Sequence, residues 1–258
     1  MTSWSPETYL AYADERSRPF VDLVARIPID ATSIIDLGCG PGHLMPILRS
    51  RWSTASIVGV DSSPEMIARA SSETDDPAIT FVRADIATWR AEPVDLVISN
   101  AALQWVPGHL ALISHLAEMV KPGGAFAFQV PHNYAMASHV TIRNVATREP
   151  YARYVAAVAS DRDRSIDAAT YLQAFDPQQW RVDAWETTYL HVLQGEDPVF
   201  DWVAGSRARP VIQALPEELR NAFEDDLKAA LREAYPAGPH GTIFPFRRVF
   251  VVAVRMAR

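Results

Sequence analysis

The stretch Ile34-Ile35-Asp36-Leu37-Gly38-Cys39-Gly40-Pro41-Gly42 decides the fold. A β-branched run ends in an acid, and three glycines follow in close succession. The pattern predicts a buried strand, a tight turn and the start of a helix. Glycine lets a backbone approach a ligand with no side chain between them, and the free N–H groups of the following helix face polar or anionic groups. The dinucleotide fingerprint GxGxxG places its third glycine five positions after the first. Here Gly38, Gly40 and Gly42 give GxGxG, with Pro41 between the last two. Asp36, just before the turn, would lie close to a negatively charged pyrophosphate. That placement suits a ligand with a cationic end.

The string Asp36-Leu37-Gly38-Cys39-Gly40-Pro41-Gly42 resembles motif I of the class I methyltransferases. Their cofactor, S-adenosyl-L-methionine, carries an ammonium group and a sulfonium and has no phosphate. The plain alternative is a strand-turn-helix connection whose glycines serve geometry only, and the pattern downstream speaks against it.

Downstream, residues 43–51 read as a short helix and residues 56–60 as a second apolar strand ending in Asp61. Asp61 follows Gly42 by 19 positions, the distance at which a βαβ unit returns a carboxylate to the ligand crevice, where it can accept both ribose hydroxyls. Ser62 to Glu65 has the form of a capping box with Pro64 in the first helical turn, which brings Ser62 and Met66 near the nucleoside. Met66 also reads as an ordinary core methionine. Residues 79–82 form a third strand, followed by Asp85 and Ile86, which in the methyltransferase pattern meet the adenine amino group and ring. Residues 94–100 are a fourth strand, and Asn100 with Ala101 marks its carboxyl end, the place where ligands bind in open α/β sheets. A helix over 109–120, a turn at Lys121-Pro122-Gly123-Gly124 and a fifth strand over 125–130 complete the regular part. Repeated βα steps predict an α/β fold with a doubly wound, mostly parallel, seven-stranded sheet, Rossmann-like in the manner of methyltransferases.

Before this core, residues 6–27 read as helical, with Phe20, Leu23, Val24 and Ile27 on one buried stripe and Pro19 opening a second helix. Tyr9, Tyr12 and Arg16 share a face that either covers apolar surface with the arginine stem or closes over an anionic ligand. After it, residues 131–165 show no strand signal and predict a helix around 138–158. A helix near 169–175, an extended segment over 182–192, a helical insertion over 197–235 and a last strand over 246–254 follow. We therefore expect one domain over 1–258: a helical cap over 1–28, a cofactor-binding core over 30–130, and substrate lid insertions over 131–165 and 195–242. The insertions fall after strand five and before the last strand.

Bulk composition narrows the partners. Lys plus Arg number 24 against 31 Asp plus Glu, a formal net charge of -7, which argues against nucleic acid. One cysteine, Cys39, gives no intramolecular disulfide and no multi-cysteine metal site. No metal ligand set is assigned. No run reaches the roughly 18 apolar residues of a membrane span, and the N-terminus lacks a secretion signal, so a cytoplasmic monomer or weak homo-oligomer is expected.

Beyond motif I, nearly the whole chain resembles the bacterial trans-aconitate 2-methyltransferases. The resemblance is carried by Trp4-Ser5-Pro6, Tyr9-Leu10, Glu15-Arg16-Ser17-Arg18-Pro19, Asn100-Ala101-Ala102-Leu103-Gln104-Trp105, Thr187-Thr188-Tyr189 with His191, Trp202-Val203, Arg209-Pro210, and Arg248 with Phe250. Arg247 stands where the family is expected to have proline, and residues 144–165 match poorly. The resemblance implies an S-adenosylmethionine-dependent carboxyl O-methyltransferase acting on trans-aconitate or a similar small polycarboxylate. It implies substrate contacts from Tyr9, Arg16, Trp105, Tyr189, His191, Arg209 and Arg248.

The residues agree with a polyacid. Arg16, Arg207, Arg209, Arg247 and Arg248 lie in or beside the irregular segments of an acidic chain, and a guanidinium fork binds a carboxylate bidentately. The attacking carboxylate is already ionised, so no general base is required. Other acids, such as a carrier-protein-bound malonyl group, remain open, as do a nicotinamide oxidoreductase and a non-enzymatic module that only binds the cofactor.

Overall fold

The computed structural model describes residues 13–159 and 166–257, with side chains described from residue 17 onward except over 156–159. Strand β1 (Ser33–Leu37) lies at the centre of the cofactor half, parallel to β2 (Ser56–Asp61) on one side and β4 (Val94–Asn100) on the other. β3 (Ile79–Arg83) extends the sheet beyond β2, and β5 (Val120–Pro131) beyond β4. The order β3-β2-β1-β4-β5-β8-β6 ends in β8 (Gly241–Arg255), antiparallel to β5, and β6 (Trp180–Leu193), antiparallel to β8. The two-residue strand β7 (Ala237–Gly238) pairs with β8 off this path. The path therefore holds the seven strands expected. Chain order reverses between β1 and β4, which opens a crevice at their carboxyl ends.

Burial explains why these segments are strands. In β8, Phe250 and Val252 enter one apolar cluster while Val249, Val251 and Ala253 enter another on the opposite face. A strand covered on both faces must be apolar on both. Helices α1 (Ala13–Arg26) and α2 (Met45–Arg51) supply Phe20, Leu23 and Leu48 to the first cluster. Helices α4 (His109–Ala117) and α7 (Ala168–Gln173) supply Ile113, Leu116 and Tyr171 to the second. Helix α3 (Pro64–Ser72) packs Met66 and Ala70 beside β2. A third cluster belongs to the segments after β5. It gathers α5 (Ala137–Ala146), α6 (Ala152–Ala159), α8 (Pro198–Ala204), α9 (Arg209–Ala214) and α10 (Glu217–Ala234) around Phe223, Leu227 and Trp202.

Four local expectations differ. Pro19 lies inside α1 and does not open a second helix; apolar Phe20, Leu23, Val24 and Ile27, all buried, hold the stripe through the missing hydrogen bond. α3 is capped by Ser63, whose Oγ accepts from the Met66 N–H at 3.3 Å, not by Ser62. β5 begins at Val120, because the Lys121 to Gly124 turn is absorbed as an irregularity between Val94 and Leu96 on the partner strand. The helix expected around 138–158 is two, interrupted at 147–151 where Pro150 cannot continue α5.

Candidate active site

The carboxyl ends of β1, β2 and β4 open on a cleft of about 330 Å3. Gly38, Gly40, Asp61, Ser62, Met66, Asp85, Ile86, Asn100 and Ala101, each expected at the cofactor, all line it. The glycine turn is pinned to β2, with the N–H groups of Gly38 and Cys39 donating to the Val60 carbonyl at 2.7 and 3.1 Å. Gly38 has φ 77°, and a Cβ there would stand 2.1 Å from that of Ala102. No other residue fits.

Asp61 is aimed by the backbone. Its Oδ2 accepts from the Gly40 N–H at 3.0 Å and its Oδ1 from the Ser63 N–H at 2.9 Å, leaving the remaining lone pairs for two hydroxyls. Because Ser63 takes the cap, Ser62 is left exposed on the cleft wall. Asp85 accepts from the Ala87 N–H at 2.9 Å beside the buried Ile86. At the end of β4, Ala101 has φ 52°, a left-handed conformation held by donation of its N–H to the Gln129 carbonyl at 2.9 Å. Such backbone strain is retained where surrounding structure over-determines it.

Asp36 is not among the residues that line this cleft. It is 1% exposed, in register with Gly59 and Ile98, and neither carboxylate oxygen accepts a hydrogen bond. Burial first, and then the Asp61 charge, push its pKa up to about 7. From behind the glycine turn its charge would attract a cationic group held in the cleft, and that group's charge would offset the burial. The residues present fit S-adenosylmethionine.

Two further cavities adjoin the cleft. A chamber of about 90 Å3 shares Asn100, Ala101 and Trp105 with it and contains Arg248. A lid cavity of about 160 Å3 shares Gln104, Trp105, Trp202 and Phe246 with the chamber. Trp105, half exposed, borders all three. Arg248 is 3% exposed; its Nη1 donates to Gln129 Oε1 at 3.1 Å, and Gln129 Nε2 donates to Asn100 Oδ1 at 2.5 Å. A side-chain relay thus joins the chamber to the cofactor cleft. The Arg248 guanidinium also lies 4.6 Å from the Phe246 ring centroid, which orients its plane.

Among the described residues, Tyr189, His191 and Arg209, also expected at the substrate, are not on these walls. Tyr189 is buried, its hydroxyl donating to Asp22 of α1 at 2.6 Å, and His191 stacks at 4.8 Å on Trp202 from behind. Burial, followed by Arg248, lowers the His191 pKa to about 4, so its ring is neutral near pH 7. Arg209 opens α9 and borders none of the three cavities, whereas Arg207 lines the lid cavity. Arg247 reaches outward to Glu186 at 3.8 Å. Tyr9 and the side chain of Arg16 lie outside the described residues.

A family profile described as a methyltransferase domain matches residues 34–124. The chain is 46% identical over 263 residues to the trans-aconitate 2-methyltransferase of Streptomyces avermitilis, covering 99% of this chain and 98% of that protein. It is 42% identical over 254 residues to the Mycobacterium tuberculosis enzyme of the same name, covering 97% and 96%. The chain belongs to the trans-aconitate 2-methyltransferase family. It is an S-adenosylmethionine-dependent methyltransferase. Its fold is shared with Haemonchus contortus phosphoethanolamine N-methyltransferase 2, solved in complex with S-adenosyl-L-methionine, at 15% identity and TM-score 0.53 over 93% of this chain and 53% of that one.

Within this family frame, sequence reasoning missed Gln129 and Asn133. Gln129 carried a signal, as the one polar residue in Ala125-Phe126-Ala127-Phe128-Gln129-Val130. It is fully buried, and a buried amide is kept where its hydrogen bonds are made. Asn133 carried none, because it follows Pro131 in a segment without periodicity.

Proposed function

We propose that this protein transfers the methyl group of S-adenosylmethionine to a carboxylate oxygen of a small polycarboxylic acid, with trans-aconitate, the acid named for its relatives, as first choice. The observation that carries the reading is Arg248, a buried guanidinium in a chamber that shares its wall with the cofactor cleft. A guanidinium on such a wall offers planar, paired N–H donors to a carboxylate that enters the chamber.

In this reading Asp61 holds the ribose hydroxyls, Asp85 and Ile86 the adenine, and Asp36 with the glycine turn the ammonium end. Bound there, S-adenosylmethionine supplies an electrophilic methyl group. Arg248 anchors one carboxylate of the acid and leaves another turned toward Asn100 and Ala101. The reacting oxygen is ionised at neutral pH, so no side chain has to remove a proton. Neutral His191 and the buried Tyr189 act from behind the wall, by supporting Trp202 and α1. Trp105 and Trp202 line the passage and exclude water, which would compete for the methyl group. The rate then rests on proximity and orientation, worth about 7 to 11 kcal/mol in favourable cases. Residues 131–165 and 195–242 serve as the lid, supported by the apolar cluster they share.

Labelled S-adenosylmethionine with a panel of di- and tricarboxylates tests the reading. Transfer to a base-labile ester, best with trans-aconitate, is expected. Transfer to a base-stable product, or to none of the acids, would sink it. Arg248→Ala is expected to raise KM for the acid by about tenfold or more, the loss of a charge-assisted hydrogen bond, with cofactor affinity unchanged by calorimetry.

A further inference from the structure

The proposed transfer uses the cleft and the chamber and gives the lid cavity beyond them no part. Asn133 lies on the wall of that cavity and is 4% exposed. Its Oδ1 accepts from the Arg247 N–H at 2.9 Å, which fixes the amide, because a flip would set two donors against each other. Nδ2 is left buried and with no hydrogen-bond partner among the described residues, on a residue of the cavity wall. Buried donors are rarely left so, and an unmade one points to a group that arrives.

Gln104 supplies the opposite polarity nearer the cleft. Its Nε2 donates to the Ala101 carbonyl at 2.6 Å, so its Oε1, also buried without a partner, is an acceptor on the wall shared by chamber and lid cavity. An acceptor there disfavours a carboxylate at its own end, while a donor beyond it favours one. Of the remaining walls, Tyr134, Trp202 and Phe244 suit a carbon skeleton, while Arg207, His109 and His139 add polar groups, the arginine a cation that also favours a carboxylate.

We infer that the lid cavity is a distal carboxylate subsite, in which Asn133 Nδ2 donates to the far carboxylate of an extended polyacid whose other carboxylates lie at Arg248 and at the cleft. The substrate class is an acid whose carboxylates are held apart; a compact isomer or a shortened acid reaches Arg248 but not Asn133. This rests on the polycarboxylate reading above.

The full-length enzyme is assayed with labelled S-adenosylmethionine and two acids: trans-aconitate, and the analogue in which the carboxylate farthest from the methylated one is replaced by methyl. The wild type is expected to show a KM for the analogue about tenfold or more above that for the triacid, as for loss of a hydrogen bond to a charged group. Asn133→Asp keeps the acceptor for the Arg247 N–H and turns the donor into an anion. It is expected to raise KM for the triacid by about tenfold or more, with kcat and cofactor Kd little changed, and to leave KM for the analogue as in the wild type. Equal KM values for the two acids in the wild type, or an equal effect of Asn133→Asp on both, would overturn the subsite while leaving the polycarboxylate function standing. No transfer by the wild type to either acid, or to any of the panel, would overturn both. Should Asn133→Asp fail to fold, the wild-type comparison alone decides.

Discussion

Asp36 shows how a buried carboxylate without hydrogen bonds weakens the protein that holds it. Its carboxyl is raised from 3.8 to about 7 by burial and then by Asp61. For a group with a raised folded-state pKa, the stability contribution is fully present below the unfolded value and is lost as pH rises through the folded one. The protein without cofactor is therefore expected to lose on the order of a few kcal/mol between about pH 4 and 7 on this account. Thermal melts of wild type and Asp36→Asn from pH 5 to 8 check it: their difference should grow toward pH 7 and then level. A difference independent of pH would mean that Asp36 keeps an ordinary pKa. Gln129 is the other residue whose chemistry is local. Gln129→Met keeps the volume but removes both relay hydrogen bonds, and a loss of about 1 to 3 kcal/mol in stability is expected, together with a fall in kcat. If kcat holds while stability falls, the relay is structural only.

At the scale of elements, α3 owes its start to Ser63, whose Oγ accepts from the Met66 N–H and whose hydroxyl donates to Glu65 Oε2 at 2.7 Å. Ser63→Ala is expected to cost about 1 kcal/mol, read as a lower Tm, and to loosen cofactor binding because Met66 and Asp61 flank the same turn. The capping pattern was legible in the sequence, but two adjacent serines fit it, and only the backbone shows which is outside the helix. The regular βα steps were legible for a simpler reason: strand alternation, turn glycines and helix periodicity are set by residues close in the chain. The segments after β5 were not. Their helices were expected as a group, yet which residues face the chamber depends on how α8, α9 and β8 pack together, and periodicity places Arg207 and Arg209 equally well.

On the scale of the whole molecule, two apolar clusters flank the sheet and a third holds the segments after β5, proposed above as the lid. Phe223, Leu227 and Leu231 on α10 hold the lid together, and Leu227 is fully buried. Leu227→Ala is expected to cost about 2 to 5 kcal/mol and to raise KM for the acid more than Kd for the cofactor. The cofactor cleft is built from the other two clusters, so an equal effect on both constants would mean that lid and cleft are one cooperative unit.

By itself the sequence determined the glycine turn, the order of the elements up to β5, and which residues meet at the cleft beyond the strands' carboxyl ends, because a βαβ unit brings together positions that follow one another closely. The tertiary structure decided which side chains line the adjoining chamber. The bond from Arg248 to Gln129 spans 119 positions, and that from Gln129 to Asn100 spans 29. Tyr189 and His191 share with Arg248 the paired strands β6 and β8, yet helix α1 and Trp202 take them up and leave only the arginine on the chamber wall. No local pattern encodes which side chain a distant helix will cover.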